Sequence, residues 1–107
     1  MSWKTKSLDK LFNPKTIAVI GASDKPDKLG ALTLMALRNF EGKVYPVNPR
    51  LKSIREMRCY TSIGEIEGPI DLAMIALGPQ YVLDTLHQCA DKGVKGAIIF
   101  SAGFKEL

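Results

Sequence analysis

Residues Gly21-Ala22-Ser23-Asp24-Lys25-Pro26-Asp27-Lys28-Leu29-Gly30 leave an apolar run and open a stretch with helical spacing. A segment of this make-up works through its main chain. Backbone N–H groups at a helix start, reinforced by the helix dipole, hold phosphate oxygens, and Lys25 and Lys28 add positive charge. Gly21, Ala22, Ser23 and Gly30 are small enough to let the backbone approach a ligand, and Pro26 lies within the same candidate loop. The loop is longer than the G-x-G-x-x-G of dinucleotide enzymes, so its strand–loop–helix context carries the assignment rather than its pattern. The alternative is a strand-to-helix turn that holds nothing. Asp24 and Asp27 suit capping of the following helix.

Three further segments share this character: Asn48-Pro49-Arg50, Leu77-Gly78-Pro79 and Ser101-Ala102-Gly103, each closing an apolar run. An NAD-binding fold usually carries Asp or Glu at the second of these strand ends, accepting hydrogen bonds from the adenosine ribose. Here Arg50 stands there with Lys52 close behind, which disfavours plain NAD and suits a ribose phosphate. Coenzyme A carries that phosphate at the 3′ position and NADP at the 2′ position, and charge alone admits both. No catalytic residue is identified. His87 falls on the flank of an amphipathic helix with no acidic or nucleophilic partner, and Ser23 and Ser101 lie in no nucleophile elbow and have no base. Hydrogen bonding to a ligand phosphate or amide suits the two serines better. Cys59 and Cys89 are far apart and fit no metal-ligand spacing, so no metal site is expected.

The elements that must position these segments follow from hydrophobic patterning. Runs at 16–20, 43–47, 71–77 and 96–100 are apolar almost throughout, the mark of parallel strands covered on both faces. Pro46 cannot donate to a ladder, which predicts a short or bulged second strand. Leu29, Leu32, Thr33, Ala36, Leu37 and Phe40 recur at helical spacing over residues 28–41, with Gly42 as the stop. Leu34 and Met35 fall off that stripe and mark a candidate subunit or interdomain contact. Val82, Leu83, Leu86, Cys89 and Ala90 form a second stripe, with Pro79 suited to its first turn and Gly93 to its end. Residues 48–68 read as a basic loop, then Cys59-Tyr60, then a helical turn near 62–66. Residues 1–10 read as a loose arm, with Leu8, Leu11 and Phe12 available to dock on the sheet. The sum is a single α/β domain over 1–107, a Rossmann-like doubly wound parallel sheet, in which ligands bind beyond the carboxyl ends of the strands.

Composition narrows the function classes. A chain of 107 residues with 46% hydrophobic and 24% charged residues is an ordinary globular domain. Its net charge of +4 suits a phosphate-rich ligand, while scattered basic residues and only 7% aromatics speak against a nucleic-acid platform. No apolar run is long enough to span a membrane and no signal-peptide core is present, so the expected location is cytoplasmic, with no membrane partner.

Leu11-Phe12-Asn13-Pro14-Lys15, Ile17-Ala18-Val19-Ile20-Gly21-Ala22-Ser23, Val44-Tyr45-Pro46-Val47-Asn48-Pro49, Cys59-Tyr60, Gly68-Pro69-Ile70-Asp71-Leu72-Ala73 and Ser101-Ala102-Gly103-Phe104-Lys105-Glu106, in this order, resemble the N-terminal CoA-binding domain of NDP-forming (ADP-forming) acyl-CoA synthetases. The same stretch is similar to the start of the succinyl-CoA synthetase alpha subunit and to a region fused to some bacterial protein acetyltransferases. The resemblance implies a coenzyme A or acyl-CoA site. The first loop would hold coenzyme phosphates, with Asn48-Pro49-Arg50 and the third and fourth strand ends lining the rest. Other synthetase domains or subunits, or a second copy, are the implied partners. Leu77-Gly78-Pro79 departs from the small apolar pair usual at the third strand end. The family's phosphorylated histidine lies in a later domain and does not correspond to His87. Where family members continue with a further helix and strand, this chain stops at Leu107 and reads as an excised domain. By itself it is expected to bind rather than catalyse. The alternatives are a stand-alone or fused CoA-sensing module without ligase chemistry and an NADP-binding redox or sensor domain.

Overall fold

A computed structural model describes residues 13–100. Strand β1 (Thr16–Ile20) leads into helix α1 (Leu29–Ala36), strand β2 (Lys43–Val47), a hairpin of β3 (Ser53–Ile54) and β4 (Met57–Arg58), a short 3-10 turn (Ile63–Glu65), strand β5 (Leu72–Ala76), helix α2 (Pro79–Lys92) and strand β6 (Gly96–Phe100). Four strands form one parallel sheet in the order β2-β1-β5-β6, and β3 and β4 pair separately as an antiparallel ribbon. The chain therefore builds outward from β1 in one direction and then, through β5, in the other. The switch between β1 and β5 is where such a sheet opens a crevice at its carboxyl edge.

Two apolar layers cover the sheet. On one face Ala18, Ile20, Ala73 and Ile75 meet Ile63, Ile66, Ile70 and Cys89. On the other Ile17, Val19 and Leu72 meet Leu34 of α1 with Ile54 and Cys59 of the hairpin region. At the amino edge a small polar clamp sets the register of β1 against β5. The Lys15 N–H donates to Asp71 Oδ2 at 2.8 Å, and Asp71 N–H donates to Thr16 Oγ1 at 2.9 Å.

Several expectations need revision. The first helix ends at Ala36 rather than near residue 41: Leu37 N–H bonds back to Thr33 and Leu34, and Phe40 N–H to Leu37, in tightening turns. Gly42 is not its stop. A Cβ there would lie 2.3 Å from the Lys15 carbonyl oxygen and 2.5 Å from the Phe40 ring, so Gly42 allows the chain to pass under the start of β1. The buried stripe is also rotated. Leu34 is 4% exposed and Leu32 55%, whereas Met35 is exposed as expected. The residues this helix buries are Gly30, Ala31, Thr33 and Leu34, and Gly30 packs on the Gly21-Ala22 turn. Pro46 produces no bulge. Strand β2 is at the edge, pairs with β1 in unbroken register, and needs no N–H on its outer side, where the Pro46 carbonyl accepts from Tyr60 N–H at 2.9 Å. The fourth run is a strand, but not one covered on both faces: Ile98 and Ile99, on opposite faces of β6, are each 42% exposed. Residues 48–60, read as a loop, contain the β3–β4 ribbon. The turn near 62–66 is the 3-10 segment, and Pro79 and Gly93 open and close α2 as expected, Gly93 in the left-handed conformation at φ 83°. The arm at 1–10, with Leu8, Leu11 and Phe12, lies outside the described residues.

Candidate ligand edge at the strand ends

At the carboxyl end of β1 the chain turns at Gly21, whose φ is +93°, a conformation that costs a non-glycine residue strain. Its neighbours forbid a side chain in any case, since a Cβ there would lie 2.2 Å from the Ala76 carbonyl oxygen at the end of β5 and 2.9 Å from Leu77. Gly30, in the first turn of α1, packs against the same spot: a Cβ would meet the Gly21 carbonyl oxygen at 1.9 Å and Ala22 Cα at 2.9 Å. The two glycines thus bring helix, loop and switch point into contact. Their smallness serves protein packing, a role distinct from the ligand approach expected of them.

The main-chain donors divide into used and open. Gly21 and Ala22 N–H both donate to the Val47 carbonyl of β2, at 3.0 and 3.2 Å, so neither is available to an anion. Ser23 Oγ accepts from Lys25 N–H at 3.0 Å, and Lys28 N–H donates to the Lys25 carbonyl at 3.0 Å. Among the described residues nothing accepts from the N–H groups of Ser23, Asp24, Leu29 or Gly30. Neither aspartate of the loop caps α1, which has no side-chain cap at all. An uncapped helix start beside a serine hydroxyl leaves its first N–H groups to solvent or to a ligand.

The second strand end is tied to the first. Asn48 donates its Nδ2 to the Ala22 carbonyl at 2.8 Å and accepts Arg50 N–H on Oδ1 at 2.8 Å, while its own N–H donates to the Tyr60 carbonyl at 2.8 Å. Asn48 is therefore a strut that fixes the two loops relative to each other and starts the Pro49-Arg50 turn. Lys25, Lys28, Arg50 and Lys52 are all exposed, and none meets a carboxylate among the described residues. Asp24 and Asp27 are exposed on the same loop as Lys25 and Lys28, so the excess positive charge lies at Arg50 and Lys52, beyond the contact of Gly21, Ala22, Gly30, Asn48 and Leu77.

Of the other expected residues, Gly78 and Pro79 open α2 at the end of β5, with Pro79 exposed. Pro26 and Pro49 are exposed on the two loops. Ser101, Ala102 and Gly103 lie outside the described residues. Two participants escaped the sequence reading. Val47 supplies the carbonyl that clasps the first loop, and Tyr60, bridged in parallel to Val47, supports the Asn48 turn. Main-chain acceptors carry no residue signature, so only the strand-end position of Val47 pointed to it. Arg58 stacks over the Tyr60 ring at 4.4 Å, and Tyr45 meets that ring edge-on at a centroid distance of 5.7 Å.

His87 is exposed on α2, as expected. Cys59 and Cys89 are buried and free, and burial pushes both thiols above their ordinary range. For Cys59 the rise is partly opposed by backbone hydrogen bonding at Asn48 and Tyr60. Neither is poised as a nucleophile. Among the described residues no cluster of His, Cys, Asp and Glu could hold a metal, and no helix is long and apolar enough to cross a membrane. Two cavities, of about 400 and 300 Å³, lie away from this edge, one between the 3-10 turn and the end of α2, the other beneath α1. Phosphate chains bind readily on open loops, where main-chain donors and cations matter more than enclosure.

Comparison with known proteins bears on what this edge holds. A family model described as "CoA binding domain" matches residues 15–106. The chain is 48% identical over 100 residues to the alpha subunit of ADP-forming acetate–CoA ligase II from Pyrococcus furiosus, covering 92% of this chain and 22% of that protein. It is 41% identical over 98 residues to the ADP-forming 4-hydroxybutyrate–CoA ligase of Nitrosopumilus maritimus, covering 91% of this chain and 14% of the ligase. Among solved structures, a Ca. Korarchaeum cryptofilum dinucleotide-forming acetyl-coenzyme A synthetase 1, in complex with phosphate and ADP, superimposes with a TM-score of 0.86 at 40% identity, over 92% of this chain and 22% of that one. The chain spans less than a quarter of the length of each of these relatives.

Proposed function

The chain belongs to the CoA binding domain family, and from that premise we propose that it binds coenzyme A or an acyl-CoA along the carboxyl edge of its sheet. One observation carries the reading. The loop of residues 21–30 and the turn at Asn48-Pro49-Arg50 are joined at the switch point by the Asn48–Ala22 hydrogen bond, and these two segments carry exposed cations that meet no carboxylate among the described residues. The residues fit the coenzyme. The open N–H groups of Ser23, Asp24, Leu29 and Gly30, with Lys25 and Lys28, would meet a pyrophosphate. Arg50 and Lys52 would meet the ribose 3′-phosphate, an anion that a guanidinium recognises in a bidentate way. When bound, coenzyme A supplies the thiol that carries an acyl group. This chain's part is to bind and orient it, since no described side chain is arranged as an acid, base or nucleophile.

The relatives support a longer protein that is an ADP-forming acyl-CoA ligase. There this domain presents the coenzyme, while other domains or subunits bring the acid and the nucleotide. Calorimetric titration with coenzyme A, dephospho-CoA, NADP and NAD tests the ligand. Coenzyme A should bind most tightly, dephospho-CoA roughly tenfold more weakly for loss of one charge-assisted contact, and NAD least. Lys28→Ala should weaken coenzyme A severalfold at low salt, with the difference shrinking as salt screens an exposed charge. A preference for NADP over coenzyme A would overturn the assignment.

A further inference from the structure

At the opposite end of the sheet, away from the loops just described, a cavity of about 300 Å³ lies between the end of α1, the start of β2 and the β3–β4 hairpin. Its walls are apolar, formed by Leu34, Leu37, Phe40, Val44 and Met57. Two arginines, Arg38 and Arg55, and Gly42 complete the lining, and both guanidinium groups converge on Met35. Arg38 donates to the Met35 carbonyl at 2.8 Å, and Arg55 Nη1 lies 3.8 Å from Met35 Sδ. Neither has a carboxylate partner among the described residues.

The hairpin turn that delivers Arg55 is unusual. Arg55 and Glu56 have φ of 51° and 70°, so both central residues are left-handed without being Gly, Asn or Asp. This is the two-residue turn that an Asn-Gly pair forms without strain. A side chain at its first position is held there against its own backbone preference, and the guanidinium it carries reaches Met35 of α1 and lines the cavity. Apolar walls beside two planar, multidentate cations that meet no carboxylate among the described residues match a ligand with an apolar body and an anionic head.

We propose that this cavity is a second ligand site, for a small amphipathic anion whose head is a carboxylate or a phosphate. It is separate from the coenzyme edge and does not depend on that assignment. The test is an NMR titration of the intact chain with octanoate, octyl phosphate and octanol. At least one of the two anions should shift the signals of Leu34, Val44 and Met57 saturably, with a Kd on the order of 1 mM, and octanol at least tenfold more weakly. The tighter anion identifies the head group. Arg38→Gln should weaken the anion about fivefold or more and leave coenzyme A titration unchanged. Arg55→Asn supplies a residue that tolerates the left-handed turn, so it should raise the melting temperature while it lowers anion affinity. Equal affinity for octanol and the anions, no saturable shift up to about ten times that Kd, or full anion affinity in Arg55→Asn would each overturn the proposal.

Discussion

Between β1 and α1 the chain uses residues 21–28 to reverse direction, whereas between β5 and α2 it turns within Leu77-Gly78 and enters the helix at Pro79. Both junctions sit at the carboxyl edge beside the switch point, and both contain a glycine that stands out in the sequence. Gly21 has φ +93° and backbone oxygen where a Cβ would go. Gly78 has φ −64°, open to any residue, and its hypothetical Cβ meets only the end of the Gln80 side chain, at 2.7 Å. The long junction is clasped to β2 through Val47 and Asn48 and leaves helix N–H groups unfilled. The short one fills its first helical position with a proline that has no N–H to offer. One junction is built to present donors and the other to close the structure, and that distinction is what substitutions can probe.

The largest expected effect comes from Gly21→Val. It combines left-handed strain with a collision against the fixed backbone of Ala76, and should cost about 3 kcal/mol or more of folding stability. Thermal melts and coenzyme titration would both respond. A variant that melted normally but failed to bind would mean that ligand approach, not packing, sets the need for glycine.

Asn48→Ala comes next. It removes the bond to the Ala22 carbonyl and the acceptor for Arg50 N–H, worth together about 1–3 kcal/mol. The two loops lose their mutual alignment, so coenzyme affinity should fall about tenfold while the sheet stays intact by circular dichroism. Unchanged affinity would show that the first loop is positioned by Val47 and Gly30 alone.

The same contrast shows what the sequence could reveal. The four main strands were legible because their runs are nearly all apolar, in β6 as well, although Ile98 and Ile99 there are half exposed, and the ends of α2 were legible because Pro79 and Gly93 act locally. The hairpin was not legible. Its turn is Arg55-Glu56 rather than a residue pair that favours left-handed backbone, and its two-residue strands are too short for alternation to show. The end of α1 was misplaced because Leu37 and Phe40 continue the helical spacing while packing from a turn. At the candidate site the hydrogen bonding of the expected loop residues was not legible. Whether an N–H of Gly21 or Ala22 is free depends on Val47, a partner supplied by tertiary pairing.

The buried thiols offer a smaller, pH-dependent contrast between the two regions. Burial raises the pKa of both above the ordinary value of 9.0. An acid whose folded pKa is raised contributes stability that is fully present below the unfolded pKa and is lost as pH rises through the folded one. Denaturant midpoints should therefore hold steady to about pH 9 and fall above it. Cys89, shifted by desolvation alone, should account for more of the fall than Cys59, whose shift is opposed by hydrogen bonds to Asn48 and Tyr60. Cys89→Ala should flatten the alkaline slope more than Cys59→Ala, despite the packing either loses, and equal slopes would remove the distinction.

The smallest effect is expected at the short junction, and there the comparison is easiest to break. Gly78→Ala places a methyl group where only the flexible end of Gln80 must move, on a backbone that alanine adopts freely. Restricting the unfolded chain should offset the displacement of Gln80, leaving stability within about 0.5 kcal/mol of the parent or slightly above it. Coenzyme affinity should change less than twofold, because no open main-chain donor of the long junction is touched. If Gly78→Ala instead abolished binding while the protein stayed folded, a ligand would have to pass directly over Gly78. The short junction would then be part of the binding surface, and the division of labour drawn from Gly21 would fail.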